Sequence, residues 1–343
     1  MLIYFIDTIC PKGHIELNKK IIALMPNKFR KVVINSNGYY NFREIKDASF
    51  IDMNLINFKS RMITIFFTQF FNYLKIRFVI KDDVNQIKVF TAFENVSFIF
   101  AVLLFKKSKK VVFHHNNVDY LRIKYNRFFF KMYMNKISHF VLADFIKERL
   151  IEIGVDEKKI FVIQHPIPAK ETKTSESPNE NLYIGLGHAS DSRIIKEIVA
   201  YENSTKILSQ NRVKLVLRSN EFVFKSEVIT IINKHLSDKE YNDLYLRAKG
   251  VFLFYPKTFE YRFSGAMLDA FRNKKNIIGT NIPIIKHFHK LYPEMCLYFN
   301  TIPELFELLI TEQKDNTDCF NLFLYRHSDI LIKNEFERIM KTI

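Results

Sequence analysis

The apolar residues of this 343-residue chain fall into short unbroken runs separated by amphipathic stretches. Leu2–Asp7, Lys31–Asn35, Lys110–Phe113, His139–Leu142 and Ile160–Ile163 read as strands. Their apolar positions do not alternate with polar ones, which is the pattern of strands covered on both faces. Ile15–Leu24 and Ala143–Ile153 carry helical spacing, and Gly154 closes the second. Ser36–Asn37–Gly38 marks a turn. Met62–Phe66 and Phe98–Phe105 are apolar segments that fit either period. Strands divided by helices predict a parallel sheet of the α/β class.

The pattern breaks after Pro166 and Pro168, where AKETKTSESPNEN is polar, charged and almost free of large apolar residues. This predicts a linker or surface loop. The alternation then restarts. Leu182–Ile184, Val213–Leu217, Val251–Tyr255 and Asn276–Gly279 read as strands. Asp191–Tyr201, Glu227–His235, Asp238–Lys249, Ala266–Phe271 and Ile302–Thr311 read as helices. The second half repeats the architecture of the first without repeating its sequence. The length exceeds that of one ordinary core. The expected division is a first domain over 1–167, a second domain over 168–325, and a charged amphipathic helix over 326–343 that packs back on the first domain. Open parallel sheets take ligands at the carboxyl ends of their strands. Two such domains predict a cleft in which two substrates are held together.

Composition changes this picture little. Hydrophobic residues at 48% and charged residues at 26% exclude a disordered chain. The net charge of +16 favours anionic partners, nucleic acid or lipid headgroups. No helix-turn-helix, zinc-finger or RNA-binding aromatic motif supports nucleic acid. Lys124–Tyr125, Arg127–Phe128–Phe129–Phe130–Lys131 and Phe67–Lys75 mix basic with aromatic residues, as interfacial surfaces do. The longest apolar run, Val96–Phe105, is too short to span a bilayer and ends in Lys106–Lys107. The N-terminus lacks a basic segment and a cleavage motif, and Cys10, Cys296 and Cys319 have no paired or metal spacing. A cytoplasmic location, peripheral on the inner face of the plasma membrane, is expected.

The richest stretch is Tyr255–Asn281, where a polar turn runs into a helix and then a strand. A helix start offers unpaired N–H groups to an anion. Arg262 is the first candidate for a phosphate clamp, beside Ser264 and Gly265; Lys257 and the strand-end Arg218 are further cations. Gly265 allows close approach of backbone to a diphosphate, and Gly185 and Gly187 can open the loop after their strand. Lys81–Asp82–Asp83 reads as a solvated turn, not a metal-binding triplet, and no metal site is expected.

VVFHHNN at 111–117, HFVLADFIKERLIEIGVDEKKIFVIQHPIP at 139–168 and RFSGAMLDAFRNKKNIIGTN at 262–281 together resemble the retaining, two-domain glycosyltransferases of the GT-B fold, near the large bacterial family 4 group. The likeness covers about residues 105–310. It departs from the family pattern in places. Glu260 and Asp269 are nine positions apart where two glutamates often stand closer, His165–Pro166 replaces Asn-Pro, and the early glycine-rich turn is reduced to Pro11–Lys12–Gly13–His14. The resemblance implies two Rossmann-like domains facing across a cleft, with His114 as an active-site histidine and His115 its neighbour. It implies Asp269 as the ribose- or sugar-facing acid, with Glu260 nearby, and front-side attack with the donor phosphate as base. His14 is a candidate for the acceptor side. The implied activity is hexosyl transfer from a UDP- or GDP-linked sugar, without cofactor or metal, to a glycan or lipid-linked acceptor of capsule or lipopolysaccharide type. A nucleotide-sugar epimerase of similar fold, a nucleic-acid-binding protein and an inactive scaffold remain alternatives.

Overall fold

The computed structural model describes residues 1–10, 14–36, 45, 47–56, 62–167, 181–187, 189–234, 236–311 and 316–343. Residues 169–180 of the expected linker over 169–181, the turn at Asn37–Gly38 and the reduced Pro11–Lys12–Gly13 turn lie outside these residues. The described residues divide into two compact units, Met1–Pro168 with Tyr261–Phe263 and His327–Ile343, and Ala169–Glu260 with Ser264–Arg326.

The chain order begins β1 (Leu2–Asp7), α1 (Ile15–Leu24), β2 (Arg30–Ser36), β3 (Ala48–Met53), α2 (Met62–Val79), β4 (Gln86–Ala92), α3 (Phe98–Leu104) and β5 (Lys109–Phe113). It continues through α4 (Lys124–Tyr133), β6 (Ser138–Val141), α5 (Asp144–Ile153) and β7 (Ile160–Val162). The seven strands form one sheet in the order β3-β2-β1-β4-β5-β6-β7, with every pair parallel. The order reverses between β1 and β4, the switch point at which such sheets bind ligands. Gly154 ends α5 in the left-handed region at φ 107°, and the N–H of Val155 reaches back to the carbonyl of Leu150 at 3.0 Å.

The second unit contains β8 (Leu182–Gly185), α6 (Ser192–Thr205), α7 (Ile207–Gln210), β9 (Lys214–Arg218), β10 (Phe224–Lys225), β11 (Ile229–Ile232), α8 (Asp238–Arg247) and β12 (Gly250–Leu253). It continues with α9 (Gly265–Arg272), β13 (Asn276–Thr280), α10 (Pro283–Leu291), β14 (Cys296–Phe299), α11 (Ile302–Ile310) and α12 (Thr317–Arg326). Its order is β10-β11-β9-β8-β12-β13-β14, parallel except for the short antiparallel β10–β11 pair. Here the switch point lies between β8 and β12. The last helix, α13 (Asp329–Ile339), packs Ile332, Phe336 and Ile339 into the core of the first unit, where Phe336 meets Phe113 and Phe140.

Alternation along the strands sorts each sheet into two faces. In the first unit Ile3, Phe5, Val89, Val111 and Phe113 join the cluster with α1 and α13. Phe90 lies on the other face, against Phe98 and Tyr73 from α3 and α2. In the second unit Leu215, Leu217, Phe252 and Phe254 join the cluster with α6 and α11.

Two expectations change. Glu227–His235 is not helical: its described residues contain β11, and the β-branched run Val228–Ile232 favours a strand because branching at Cβ restricts χ1 in a helix. Asp82 is not in a solvated turn. Its carboxylate is buried, ion-paired with Lys88 at 3.2 Å, and accepts the N–H groups of Lys107 and Ser108 at 2.8 and 3.0 Å. Burial opposes its charge, yet the hydrogen bonds from Ser108, Lys107 and Lys88 outweigh burial and hold its pKa at about 2. Among the described residues no helix is long and apolar enough to cross a membrane.

Candidate active site

In the second unit, candidate residues gather at the carboxyl edge of the sheet. Leu215 and Leu217 face α6, so Arg218, the last residue of β9, lies on the opposite face. Phe252 and Phe254 likewise place Tyr255 on that opposite face. Arg218 is only 8% exposed, and its Nε has no hydrogen-bond partner. Tyr255 is buried, and its hydroxyl hydrogen-bonds the hydroxyl of Ser264. Burial raises the Tyr255 pKa to about 12, so the phenol stays protonated.

Ser264 is the N-cap of α9, accepting the N–H of Met267 at 3.2 Å. That cap leaves the first N–H groups of the helix, on Gly265 and Ala266, without an intrahelical acceptor. A Cβ built on Gly265 meets nothing within 4 Å, so packing does not require glycine there. The start of α9 thus presents N–H groups without intrahelical acceptors on the same sheet face as Arg218.

The remaining candidates of this unit have other surroundings. Gly185 ends β8 facing the packed side, where a Cβ would come 3.0 Å from Leu217 and 3.2 Å from Phe252; its glycine answers to packing. Gly187 lies beyond the strand, and its carbonyl accepts from the Ser190 hydroxyl at 2.9 Å. Lys257 is exposed and lines a cavity of about 570 Å³ together with Asp191, Arg193 and Asn281. Asp269 stands in the second turn of α9, paired with Arg272 at 2.9 Å and 3.4 Å from the Tyr241 hydroxyl. Glu260 is half-buried just before the segment that clusters with the first unit.

Arg262 departs from expectation. Tyr261–Phe263 belongs to the first unit, and Arg262 is ion-paired there with Asp119, a buried carboxylate that also accepts the N–H of Tyr261 at 2.7 Å. A cation so neutralised is a tether for this segment and a poor clamp for phosphate. Asp119 lies 143 residues away in sequence, which is why the pairing was not foreseen.

In the first unit the two adjacent histidines part company. His114 points to the α2–α4 face and is fully buried. His139 donates from Nε2 to the Met134 carbonyl at 2.8 Å, so its Nδ1 accepts from His114 Nε2 at 2.8 Å. His114 Nδ1 then accepts from Asn117 Nδ2 at 2.8 Å. Both nitrogens of His114, the expected active-site histidine, have hydrogen-bond partners within the protein. His115 points to the other face, 8% exposed, with its Nε2 unpartnered. Its ring lies 4.3 Å from that of His14, whose Nδ1 is also buried without a partner. Burial, with His14 and His165 nearby, lowers the His115 pKa well below the usual imidazole value, and burial lowers that of His14. A neutral imidazole can accept a hydrogen bond from a hydroxyl, which an imidazolium cannot.

Sequence reasoning missed Asp7. It ends β1 fully buried, accepts the N–H groups of Ile9 and Cys10 at 3.1 and 2.7 Å, and takes hydrogen bonds from Asn18 and Thr91 at 3.1 and 3.4 Å. It ties the start of α1, and so His14, to β1 and β4. The signal was present as an acid closing an apolar strand. Among the described residues no group of three His, Cys, Asp or Glu side chains could hold a metal ion.

Solved structures resemble the chain along its whole length. The lipopolysaccharide outer core galactosyltransferase WaaB in its apo form superposes with a TM-score of 0.65 at 14% identity, covering all of both chains. Anabaena HepE in complex with UDP gives 0.66 at 10% identity, again covering all of both chains. A Rickettsia africae glycosyltransferase gives 0.60 at 13% identity over 99% of this chain and 97% of its own. Comparisons with family models and with curated proteins give no match. At these identities the likeness establishes the fold, and the chain has the GT-B fold.

Proposed function

We propose that the chain is a glycosyltransferase that moves a hexose from a nucleoside-diphosphate sugar to a hydroxyl of a glycan or lipid-linked glycan. The single observation that carries this reading is the buried Arg218 with its unpartnered Nε, on the same sheet face as the open start of α9. Negative charge grows on the diphosphate as the sugar bond breaks. A guanidinium and helix-start N–H groups, fixed before reaction, stabilise that charge. UDP is the first donor to test, because the similar HepE is solved with UDP and with UDP-glucose. The neutral His14–His115 pair is assigned to the acceptor side. Retention of configuration without metal is the finer form of the reading, supported by the sequence resemblance.

A thermal-shift panel of nucleoside diphosphates and nucleotide sugars tests the donor, and product chromatography with and without acceptor separates transfer from epimerisation. Gly265→Ala supplies the local control. The substitution should leave the unliganded melting temperature unchanged or slightly higher, since alanine favours helix over glycine. It should weaken UDP binding about tenfold by setting a methyl at the open start of α9, as expected for loss of one charge-assisted contact. Unchanged UDP affinity would move the diphosphate elsewhere.

We also assign the outer face of α2–α4 to an anionic membrane surface. Phe67, Phe71, Lys75 and Phe78 form one exposed stripe along α2 at helical spacing. Lys124, Phe128, Lys131 and Met132 are exposed on α4, and α3, packed against both helices, exposes Leu103. Aromatic and basic side chains together suit the interfacial region of a charged leaflet. In flotation, vesicles containing phosphatidylglycerol should carry the protein at low salt. Phe71→Glu with Phe128→Glu should abolish this while preserving turnover of a short water-soluble acceptor. Equal flotation with neutral vesicles would remove the assignment.

A further inference from the structure

Nearly all of the +16 net charge falls within the first unit. Part of it is gathered at the amino edge of that sheet, the end of the strands away from the switch point. Lys109 opens β5, with Lys106 and Lys107 in the turn before it; Lys136 stands two residues ahead of β6, and Lys158 two ahead of β7. These strands are neighbours and pair in parallel, Val111 with Ser138 and His139 with Ile160, so their starts share one rim. All five lysines are exposed, and among the described residues none has an ion-pair partner. The acids alongside are engaged elsewhere. Glu157 pairs with Lys147 at 2.8 Å, Asp156 accepts the N–H of Lys158 at 3.0 Å, and Asp82 is buried against Lys88. The backbone beneath the lysines is held. Asp82 accepts the N–H groups of Lys107 and Ser108, and Lys110 Nζ donates to the carbonyls of Phe105 and Ser108 at 2.6 and 2.7 Å. Asn135 ties the other two turns together: its Oδ1 accepts the N–H of Asp156 at 3.0 Å and its carbonyl accepts from Lys159 Nζ at 2.6 Å.

Like charges set this close raise a local positive potential that a complementary surface relieves. The turns themselves, residues 105–110, 134–137 and 156–159, expose no apolar side chain, unlike the aromatic face of α2 and α4. A lipid interface needs such anchors, so the rim fits a polar partner. Neighbouring strands start about 4.8 Å apart, and side chains four positions apart on a helix recur at about 5–6 Å. We propose that this rim docks an acidic helix of a partner protein, whose carboxylates meet Lys107, Lys109, Lys136 and Lys158 in turn. The turns are fixed before binding, so association orders little backbone. The rim lies at the opposite end of the strands from the switch point, and an occupant leaves the ligand-binding edge of the sheet uncovered. The surface is independent of the transferase reading.

Fluorescence anisotropy on the full chain tests it, with no substrate present. The probes are a labelled helical peptide with glutamate at every fourth position and a second peptide of the same composition with its glutamates scattered. The salt is held at about 0.15 M, where exposed charges are screened beyond roughly 8 Å. The patterned peptide should bind about tenfold more tightly than the scattered one. Lys107→Glu with Lys136→Glu should weaken it about tenfold or more. Lys214→Glu with Lys225→Glu changes two exposed lysines of the second unit and alters net charge equally; it should shift the affinity less than about twofold, the charges lying outside the contact. All four side chains are at the surface, so circular dichroism melts should be unmoved. Equal weakening by the two pairs would reduce the effect to net charge. Equal affinity for the two peptides, or binding of neither, would overturn the docking surface outright. Dependence on Lys107 and Lys136 in flotation with phosphatidylglycerol vesicles or in binding of duplex DNA, without it for the peptide, would give the rim to those partners and reject the acidic helix.

Discussion

Arg218→Met is expected to lower kcat/KM for the nucleotide-sugar donor roughly a hundredfold while leaving the melting temperature of the free protein unchanged or raising it. The two halves of this outcome come from the same fact. Arg218 is 8% exposed and its Nε is buried without a partner, so the protein leaves part of the guanidinium's hydrogen-bonding capacity unmet. Replacing a poorly compensated buried charge by an apolar side chain of similar reach is often neutral or stabilising. With a diphosphate in place, the same guanidinium makes charge-assisted hydrogen bonds, each contributing about 1.5–3 kcal/mol. One to two such bonds correspond to one to two orders of magnitude in donor binding and transition-state stabilisation. Arg218→Lys should recover only part of the loss, because an ammonium lacks the planar fork that meets two oxygens at once. Isothermal titration with UDP and donor-dependent initial rates check the first half, and calorimetry of the unliganded variants checks the second. A variant that melts far lower yet binds UDP normally would make Arg218 a structural residue and leave α9 without its cation.

The contrast between Arg218 and Arg262 marks what sequence can and cannot report about this site. Both arginines are followed by a serine within two residues, and both lie near strand or turn ends. Arg218 was the lesser candidate, yet strand alternation carries it to the face where α9 begins. Arg262 stood inside the richer motif, but Asp119 claims it. The doubly wound architecture was legible because buried parallel strands read as unbroken apolar runs. β4 was missed because Lys88 interrupts its run, and only the fold reveals that Asp82 pairs with that lysine. β3 was missed because it is an edge strand with no fully buried position. The adjacent histidines teach the same lesson: one position of offset in a strand exchanges faces, so His114 closes an internal chain while His115 keeps a free nitrogen. Periodicity reports which residues are buried, whereas partners distant in sequence decide which of them remain free to act.

Acidification should unfold the first unit over a narrow range beginning near pH 6.5. His114, His115, His139 and His165 are buried, and burial is the leading cause that lowers each pKa. His139 falls to about 4 and His165 to about 3, against 6.5 in the unfolded chain. The unfolded state therefore binds more protons than the folded state between those limits. Stability is fully present above pH 6.5 and is lost as pH falls below it, until the folded histidines themselves titrate. Each imidazole contributes a slope of about 1.4 kcal/mol per pH unit, so four together approach 5–6 kcal/mol per unit. Domains of this kind carry roughly 5–15 kcal/mol in all, which brings unfolding within one to three units of pH 6.5. Urea denaturation followed by circular dichroism at intervals from pH 7.5 to 4.5 measures the slope. His139→Gln should reduce it by about one proton's share whatever its effect on absolute stability, because glutamine has no charge to gain. A flat profile down to pH 5 would mean that these imidazoles reach water, or accept protons, without opening the fold. The neutral His14–His115 pair assigned to the acceptor side would then lose its basis as well.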